Sequence, residues 1–347
     1  MTTFCAQKRV VVTGGAGFLG QHVVGELQKH GCGKIVAPRR VDCDFREPVQ
    51  IRRLFSEVRP HAVVHLAARI SSHHAAGRAD EAASFHENAL MGIHVLEQAR
   101  IHGVEKIVLL GSANGYPERA SIPLHEDDFW NGYPETSRAT QAMAKKMALV
   151  EAQAYRRQFG IPCIYLIVAN LYGPGDHFGS DSSCVIPSLF RRFAEAAVRG
   201  ERDVILPGNP AYSRDFLYVE DCAAGIVRAL ERYNDVHPVN LGTGIETPVG
   251  DLAPQIAALI HYTGTIRWDS ARATGPERRA LDTRRAEHTI DFRARTPLRT
   301  GLQRTAVWLR DTNTLAWPAP VRSVPLEMPR GRAVRAGAGR GFARVAS

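Results

Sequence analysis

"KRVVVTGGAGFLGQ", residues 8–21, runs from a short valine-rich segment through a cluster of glycines into a helical pattern. Val10, Val11 and Val12 make an unbroken apolar run, the mark of a strand covered by helices on both faces of a parallel sheet. Gly14, Gly17 and Gly20 follow at the spacing of a dinucleotide-binding turn. One glycine permits the tight bend, one lets the backbone approach a pyrophosphate, and one lets the helix pack close to the strand. Phe18 and Leu19 open that helix, whose first free N–H groups are oriented to meet phosphate. A lone glycine triplet is just as readily a packing device; the strand before it and the helix after it argue for the nucleotide.

Outward from this point the same grammar repeats. GKIVAP (33–38), HAVVHLA (61–67), EKIVLLGS (105–112) and PCIYLIVA (162–169) read as further buried strands, with helical periodicity near 18–30, 81–101 and 136–159. Strands alternating with helices predict an α/β fold, a doubly wound parallel sheet of Rossmann type. Past residue 170 the pattern loosens, with Gly, Pro and Ser dense from Gly173 to Ser183 and a helix near 187–199. The expected organisation is a dinucleotide-binding domain over 1–170, to which 213–245 return, and a smaller C-terminal substrate lobe over 171–212 and 246–316.

Composition narrows the function. At 347 residues and 44% hydrophobic content the chain can bury a large core. Its net charge of +9 raises the question of nucleic acid, but six arginines (322, 330, 332, 335, 340 and 344) stand against Glu327 alone after residue 317, so five of those charges sit in the tail. That tail, 317–347, is rich in Pro, Gly, Ala and Arg and is expected to be disordered. Neither nucleic acid nor membrane is the expected partner. No apolar run approaches the roughly 18 residues of a membrane span, and the first residues lead straight into a strand, so a cytoplasmic location is expected. The six cysteines show neither C-x-x-C nor zinc spacing, which predicts reduced thiols and no protein metal site.

After the second strand come Ala37, Pro38, Arg39 and Arg40, where an NAD site carries an acid for the ribose hydroxyls. Two arginines suit a 2′-phosphate and favour NADP over NAD, with Asp44 placed to meet the adenine; a solvated basic turn is the equally open alternative.

TGGAGFLG, VVHLAA, VANLYGPGDHFGSDSSCVIPSLFRRFAEA (168–196), SRDFLYVEDCAAGI (213–226), VNLGTG (239–244) and ERRALDT (277–283) together resemble the extended short-chain dehydrogenase/reductase superfamily. The similarity is to the branch of GDP-L-fucose synthase and the NAD-dependent sugar-nucleotide epimerases, from about Lys8 to Leu309. It implies a GDP-hexose substrate and a homodimer. It places Asn170 at the diphosphate, Val185 at the guanine-side loop, and Arg192, Arg214 and Arg279 at the phosphates or sugar, where a planar guanidinium gives paired hydrogen bonds. His73 and His74 fall on the loop that lines the sugar pocket in this family. Asp176 and His177 form a second candidate pair.

The resemblance fails at the chemistry. Family members carry a Tyr one turn before the helical Lys, where the ammonium lowers the phenol pKa for proton transfer. Here Gln141 precedes Lys145. An amide orients a hydroxyl but exchanges no proton with it. The family's Cys after the fourth strand is replaced in GSANGYP by Asn114, beside Ser112, and its His before VIP by Cys184. Three changes at three proton-handling positions favour non-redox isomerisation of a GDP-hexose, most concretely a pyranose–furanose mutase. In it Ser112, Asn114 and Gln141 orient hydroxyls, Cys184 or a loop histidine shuttles the proton, and Mg2+ or Mn2+ sits on the diphosphate, with NAD(P) bound but not required. An NADP-dependent epimerase or reductase of a GDP-4-keto-6-deoxy-hexose with a relocated acid, and a catalytically silent GDP-sugar-binding paralogue, stay open; Tyr116 and Tyr133 lack the i, i+4 spacing to Lys145, so a substitute phenol has to come from a loop.

Overall fold

Val10, Val11 and Val12 are fully buried in β1 (Arg9–Thr13), which has a parallel neighbour on each side: β2 (Lys34–Val36) and β3 (Ala62–His65). The sheet continues through β4 (Lys106–Ser112) and β5 (Cys163–Val168), also parallel. This is a computed structural model, and it describes residues 4–70, 80–179, 184–272 and 275–317. His73, His74 and the tail from 318 lie outside the described residues. Beyond β5 come β6 (Asn170–Tyr172), β7 (Asp203–Pro207), β8 (Ser213–Arg214), β9 (Phe216–Tyr218) and β10 (Val239–Leu241). The last joins the main sheet, whose order is β10-β5-β4-β3-β1-β2. From β1 the chain goes out to the edge at β2 and returns on the other side to β3, so a switch point opens between the carboxyl ends of β1 and β3.

The helices α1 (Phe18–Lys29), α2 (Pro48–Val58), α3 (Glu81–Ile101), α4 (Ala139–Phe159), α5 (Val185–Arg199), α6 (Val219–Arg232), α7 (Val249–Leu259), α8 (Arg284–Ile290) and α9 (Leu298–Asp311) complete the described framework. α1, α6 and α8 pack together as one layer, and α2, α3 and α4 as the other. A second core gathers Tyr172, Phe190, Phe193, Tyr218, Ile256 and Leu302 from α5, α7, α9 and the strands β6 and β9. Around it β8 pairs with β11 (Thr247–Pro248) and β13 (Arg278–Arg279), and β7 with β12 (Thr265–Asp269). None of the described helices is long and apolar enough to cross a membrane.

Three expectations shift in detail. β2 is an edge strand with an exposed Lys34 rather than one buried on both faces. The helix expected from 136 starts at Ala139, after a 3-10 turn over Thr136–Arg138. α5 starts at Val185, two residues early, because Pro187 is tolerated in a first turn whose N–H groups have no partner inside the helix.

Candidate active site

Thr13 ends β1 and ties two strand ends together. Its hydroxyl accepts the N–H groups of Leu66 and Ala67 at 3.1 and 3.0 Å and meets Nδ1 of His65 at 2.8 Å. Gly14 follows at φ 67°, and a Cβ there would stand 2.8 Å from the Ala67 nitrogen, so only glycine fits. Gly17 donates to the Gly14 carbonyl at 3.0 Å and leads into α1. A Cβ on Gly20 would strike the Gly14 carbonyl oxygen and the Gly15 backbone, which is the close helix packing that the third glycine serves. Gly14, Gly17, Phe18, Leu19 and Gly20 all line one large cleft of about 1680 Å³.

Arg39 and Arg40 line the same cleft, exposed, with their guanidinium groups 3.3 and 3.5 Å from Asp42 and Asp44. Asp44 is gripped by Arg46, whose Nε lies 2.9 and 3.1 Å from its two oxygens. These hydrogen bonds hold the Asp44 carboxyl down to about 2. Arg46 reaches on to Glu87 at 3.1 Å, and Glu87 to Arg69 at 2.8 Å. This chain of charges was not anticipated from the sequence; only the alternation of sign in RRVDCDFR hinted at it.

At the centre, the turn over Ala113–Gly115 presents Asn114, whose backbone N–H donates to Ser112 Oγ at 3.2 Å. Lys146 fastens this turn from below. Its ammonium donates to the Gly115 carbonyl at 3.0 Å and to that of Phe129, and stands 4.4 Å over the Phe129 and Trp130 rings. Lys145 lines the cleft instead, its ammonium pulled down to about 8 by burial. No acceptor among the described residues takes it. Burial, then the Lys145 charge, lowers His65 to about 4, which leaves a neutral imidazole. Gln141 donates to the Arg69 carbonyl at 3.4 Å, a long bond to a carbonyl already taken by Asn88 at 2.9 Å and Ser84 at 3.1 Å.

The far half is cationic. Arg192 on α5, Arg214 on β8 and Arg279 on β13 line the cleft with Asn170 and Val185. Arg214 donates to the Ser213 carbonyl at 2.7 Å and the Glu277 carbonyl at 3.3 Å, and among the described residues Arg192 reaches only Ser188 Oγ, at 3.4 Å. Arg279 is 5% exposed. One of its terminal nitrogens donates to the Ala113 carbonyl, while Nε and Nη2 are buried without a partner among the described residues. Burial, followed by the Arg214 charge, lowers Arg279 to about 10, and burial lowers Arg192 and Arg214 as well. Arg214 repels Arg279, and Arg191 and Arg272 repel Arg192, so these desolvated cations lack compensating negative charge. Arg138, Arg191 and Arg272 also line the cleft and were not singled out in the sequence.

Cys184 stands just ahead of α5, its thiol pushed up to about 11 by burial and by Asp176. The structure thus brings Ser112, Asn114, Gln141, Lys145 and Cys184 to one cleft. Tyr116 and Tyr133, near Lys145 in sequence, do not line it. Tyr116 is buried, donating to Asn240 at 2.8 Å, and Tyr133 is exposed elsewhere; the tyrosine that lines the cleft among the described residues is Tyr212.

Residues 10–242 match the NAD dependent epimerase/dehydratase family. The chain is 31% identical over 300 residues to GDP-L-fucose synthase 1 of Arabidopsis thaliana, covering 86% of this chain and 92% of that protein. It is 32% identical over 298 residues to the GDP-L-fucose synthase of Sinorhizobium fredii, covering 86% and 94%. Among solved structures, a GDP-L-fucose synthetase from Naegleria fowleri bound to NADP superposes with a TM-score of 0.82 at 25% identity, covering 90% of this chain and 96% of that one. A GDP-6-OMe-4-keto-L-xylo-heptose reductase from C. jejuni shares the fold, with a TM-score of 0.82 at 22% identity over 90% and 100%. By fold, by the glycine turn at the sheet's switch point and by these likenesses, the chain belongs to the NAD dependent epimerase/dehydratase family.

Proposed function

We propose that this protein is an NADP-dependent epimerase or reductase of a GDP-linked keto-hexose. One observation carries the reading: a single cleft runs from the glycine turn and Arg39–Arg40 to the arginines of the far half. Similar proteins named for GDP-linked sugars, one of them bound to NADP, support it. The residues fit the cofactor. Gly14 and Gly20 leave no room for a Cβ, the start of α1 faces the cleft, and two exposed guanidinium groups follow β2 at the cleft, which supports a 2′-phosphate there. When bound, NADPH supplies the hydride.

The chain's own residues do the rest. Arg192, Arg214 and Arg279 clamp the diphosphate, each gaining hydrogen bonds that the free protein lacks. Asn170 borders the diphosphate and Val185 the guanine side. Ser112, Asn114 and Gln141 orient sugar hydroxyls in front of Lys145, whose ammonium offsets negative charge that develops on the sugar oxygen. Gln141 has no titrating group, so the proton comes from elsewhere.

That absence also favours a second reading, a pyranose–furanose mutase of a GDP-hexose that needs no redox step. The Mg2+ or Mn2+ invoked for it finds no group of three or more His, Cys, Asp or Glu side chains among the described residues; the guanidinium groups already supply charge for the diphosphate. Nucleotide-stripped protein separates the readings. Incubated with GDP-4-keto-6-deoxy-hexoses and GDP-hexoses, it is expected to act only after NADPH is added, with loss of the reduced-nicotinamide absorbance and a reduced sugar seen by NMR. Ring interconversion by stripped protein refutes this in favour of the mutase. No product under any condition indicates a binding protein.

A further inference from the structure

One carboxyl that lines the cleft has a satisfied oxygen and an unsatisfied one. Asp176 follows a turn in which Gly173 and Gly175 adopt φ of 149° and 84°, so the chain reverses sharply just before it. Its Oδ1 accepts the His177 backbone N–H at 2.7 Å, which fixes the rotation of the carboxyl. Its Oδ2 is buried and has no hydrogen-bond partner, although the residue lines the cleft. α1 braces the turn from behind: Nε2 of His22 lies 2.9 Å from the Pro174 carbonyl, and the Gln21 amide packs on Gly175.

A buried carboxyl oxygen left without a partner is costly, and a sugar hydroxyl or carbonyl placed against it removes that cost. The reaction also lacks a proton carrier. Gln141 cannot serve, Tyr116 and Tyr133 stand elsewhere, and a Cys184 thiol pushed up to about 11 keeps its proton near neutrality. We propose that Asp176 exchanges the proton with the sugar, in place of the phenol missing at Gln141. This rests on the NADP-dependent reading above. As the carbonyl carbon of the sugar takes up hydride from NADPH, its oxygen takes the proton of the Asp176 carboxylic acid. The C=O π bond, the C–H bond of the hydride donor and the Asp176 O–H bond break, a C–H and an O–H bond form on the sugar, NADPH is oxidised to NADP+, and solvent reprotonates the carboxylate.

The electrostatics agree with the role. Burial raises Asp176 to about 7, opposed by the His177 N–H and then by the His177 side chain. The other titratable group coupled to it among the described residues is Cys184 ahead of α5, which Arg138 ahead of α4 also faces. The acid form is therefore populated below about 7, and reduction slows as pH rises through that value.

Asp176→Asn keeps the shape and removes the proton. With NADPH and a GDP-4-keto-6-deoxy-hexose, full-length Asp176→Asn is expected to lose about 100-fold or more in kcat and the ionisation near neutrality, with GDP and NADPH affinity unchanged. Retention of kcat within about threefold and of the wild-type pH profile overturns the assignment, as does loss of that ionisation in Tyr212→Phe instead. If wild-type protein oxidises no NADPH with any GDP-keto sugar, the enzymatic reading fails, and Asp176 is judged separately by infrared difference spectroscopy with GDP-mannose as the probe. A protonated-carboxyl band below neutral pH that shifts on binding, and is absent from Asp176→Asn, supports the role at the sugar; no shift overturns it.

Discussion

Replacing Arg279 with methionine separates what the cleft does for folding from what it does for binding. In the free protein Arg279 makes one hydrogen bond, to the Ala113 carbonyl, and leaves Nε and Nη2 buried without partners. A charged hydrogen bond contributes about 1.5–3 kcal/mol, while each unsatisfied buried donor costs about 1–3 kcal/mol. Two such donors cost about 2–6 kcal/mol, which matches or exceeds what the one bond contributes, and the repulsion from Arg214 tips the balance further against the arginine. Arg279→Met, which fills similar volume, is expected to leave the melting temperature of the free protein equal to or above wild type. Binding tells the opposite story. If both idle nitrogens donate to the diphosphate, their loss at about 1.5 kcal/mol each comes to about 3 kcal/mol, or a little over 100-fold in Kd. Differential scanning fluorimetry without ligand and calorimetric titration with GDP read the two quantities on the same samples. A clear fall in melting temperature together with GDP affinity within threefold of wild type refutes the reasoning, because the arginine would then be a structural cation.

Gly20→Ala forces a methyl group into the Gly14 carbonyl and to 2.6 Å from Gly15 Cα, so thermal unfolding is expected to show a loss of about 3 kcal/mol and NADP titration no binding; a well-folded, NADP-binding variant contradicts the packing role. Arg39→Ser with Arg40→Ser is expected to reduce the preference for NADPH over NADH by roughly tenfold or more in kcat/KM, since two exposed cations at the cleft are removed. Gln141→Tyr rebuilds the spacing to Lys145 but gives up the contact with the Arg69 carbonyl, and turnover is expected to fall; turnover at or above wild type shows that Gln141 has no active part.

The strand–glycine–helix run at 8–21 was legible because each of its signals is local. An unbroken valine run, glycines at fixed offsets and a following helix need no distant partner to be recognised. The arginines were legible only through the resemblance, since nothing in their neighbours distinguishes Arg279 from Arg278, which pairs with Glu246 on the surface at 2.6 Å. Lys145 and Lys146 are adjacent in sequence and opposite in fate, one in the cleft and one holding up the Ala113–Gly115 turn. Helical phase relative to the missing tyrosine separates them, and it picks Lys145. Two kinds of feature were beyond reach. The Arg46–Asp44 grip and the chain to Glu87 and Arg69 join residues from three segments. The exclusion of Tyr116 depends on Asn240, 124 residues away, whose amide is also held by the Leu124 and Asp282 carbonyls at 2.9 and 3.1 Å.

The bracing of the Pro174–Gly175 turn by Gln21 and His22 gives α1 two loads at once. Its first turn lines the cleft beside the glycine turn, and its second props the loop ahead of Asp176. Occupancy at one end and loop position at the other therefore share a single rigid lever. Thermodynamic reciprocity then requires that whatever factor dinucleotide contributes to sugar-nucleotide affinity through this lever, sugar nucleotide returns to dinucleotide.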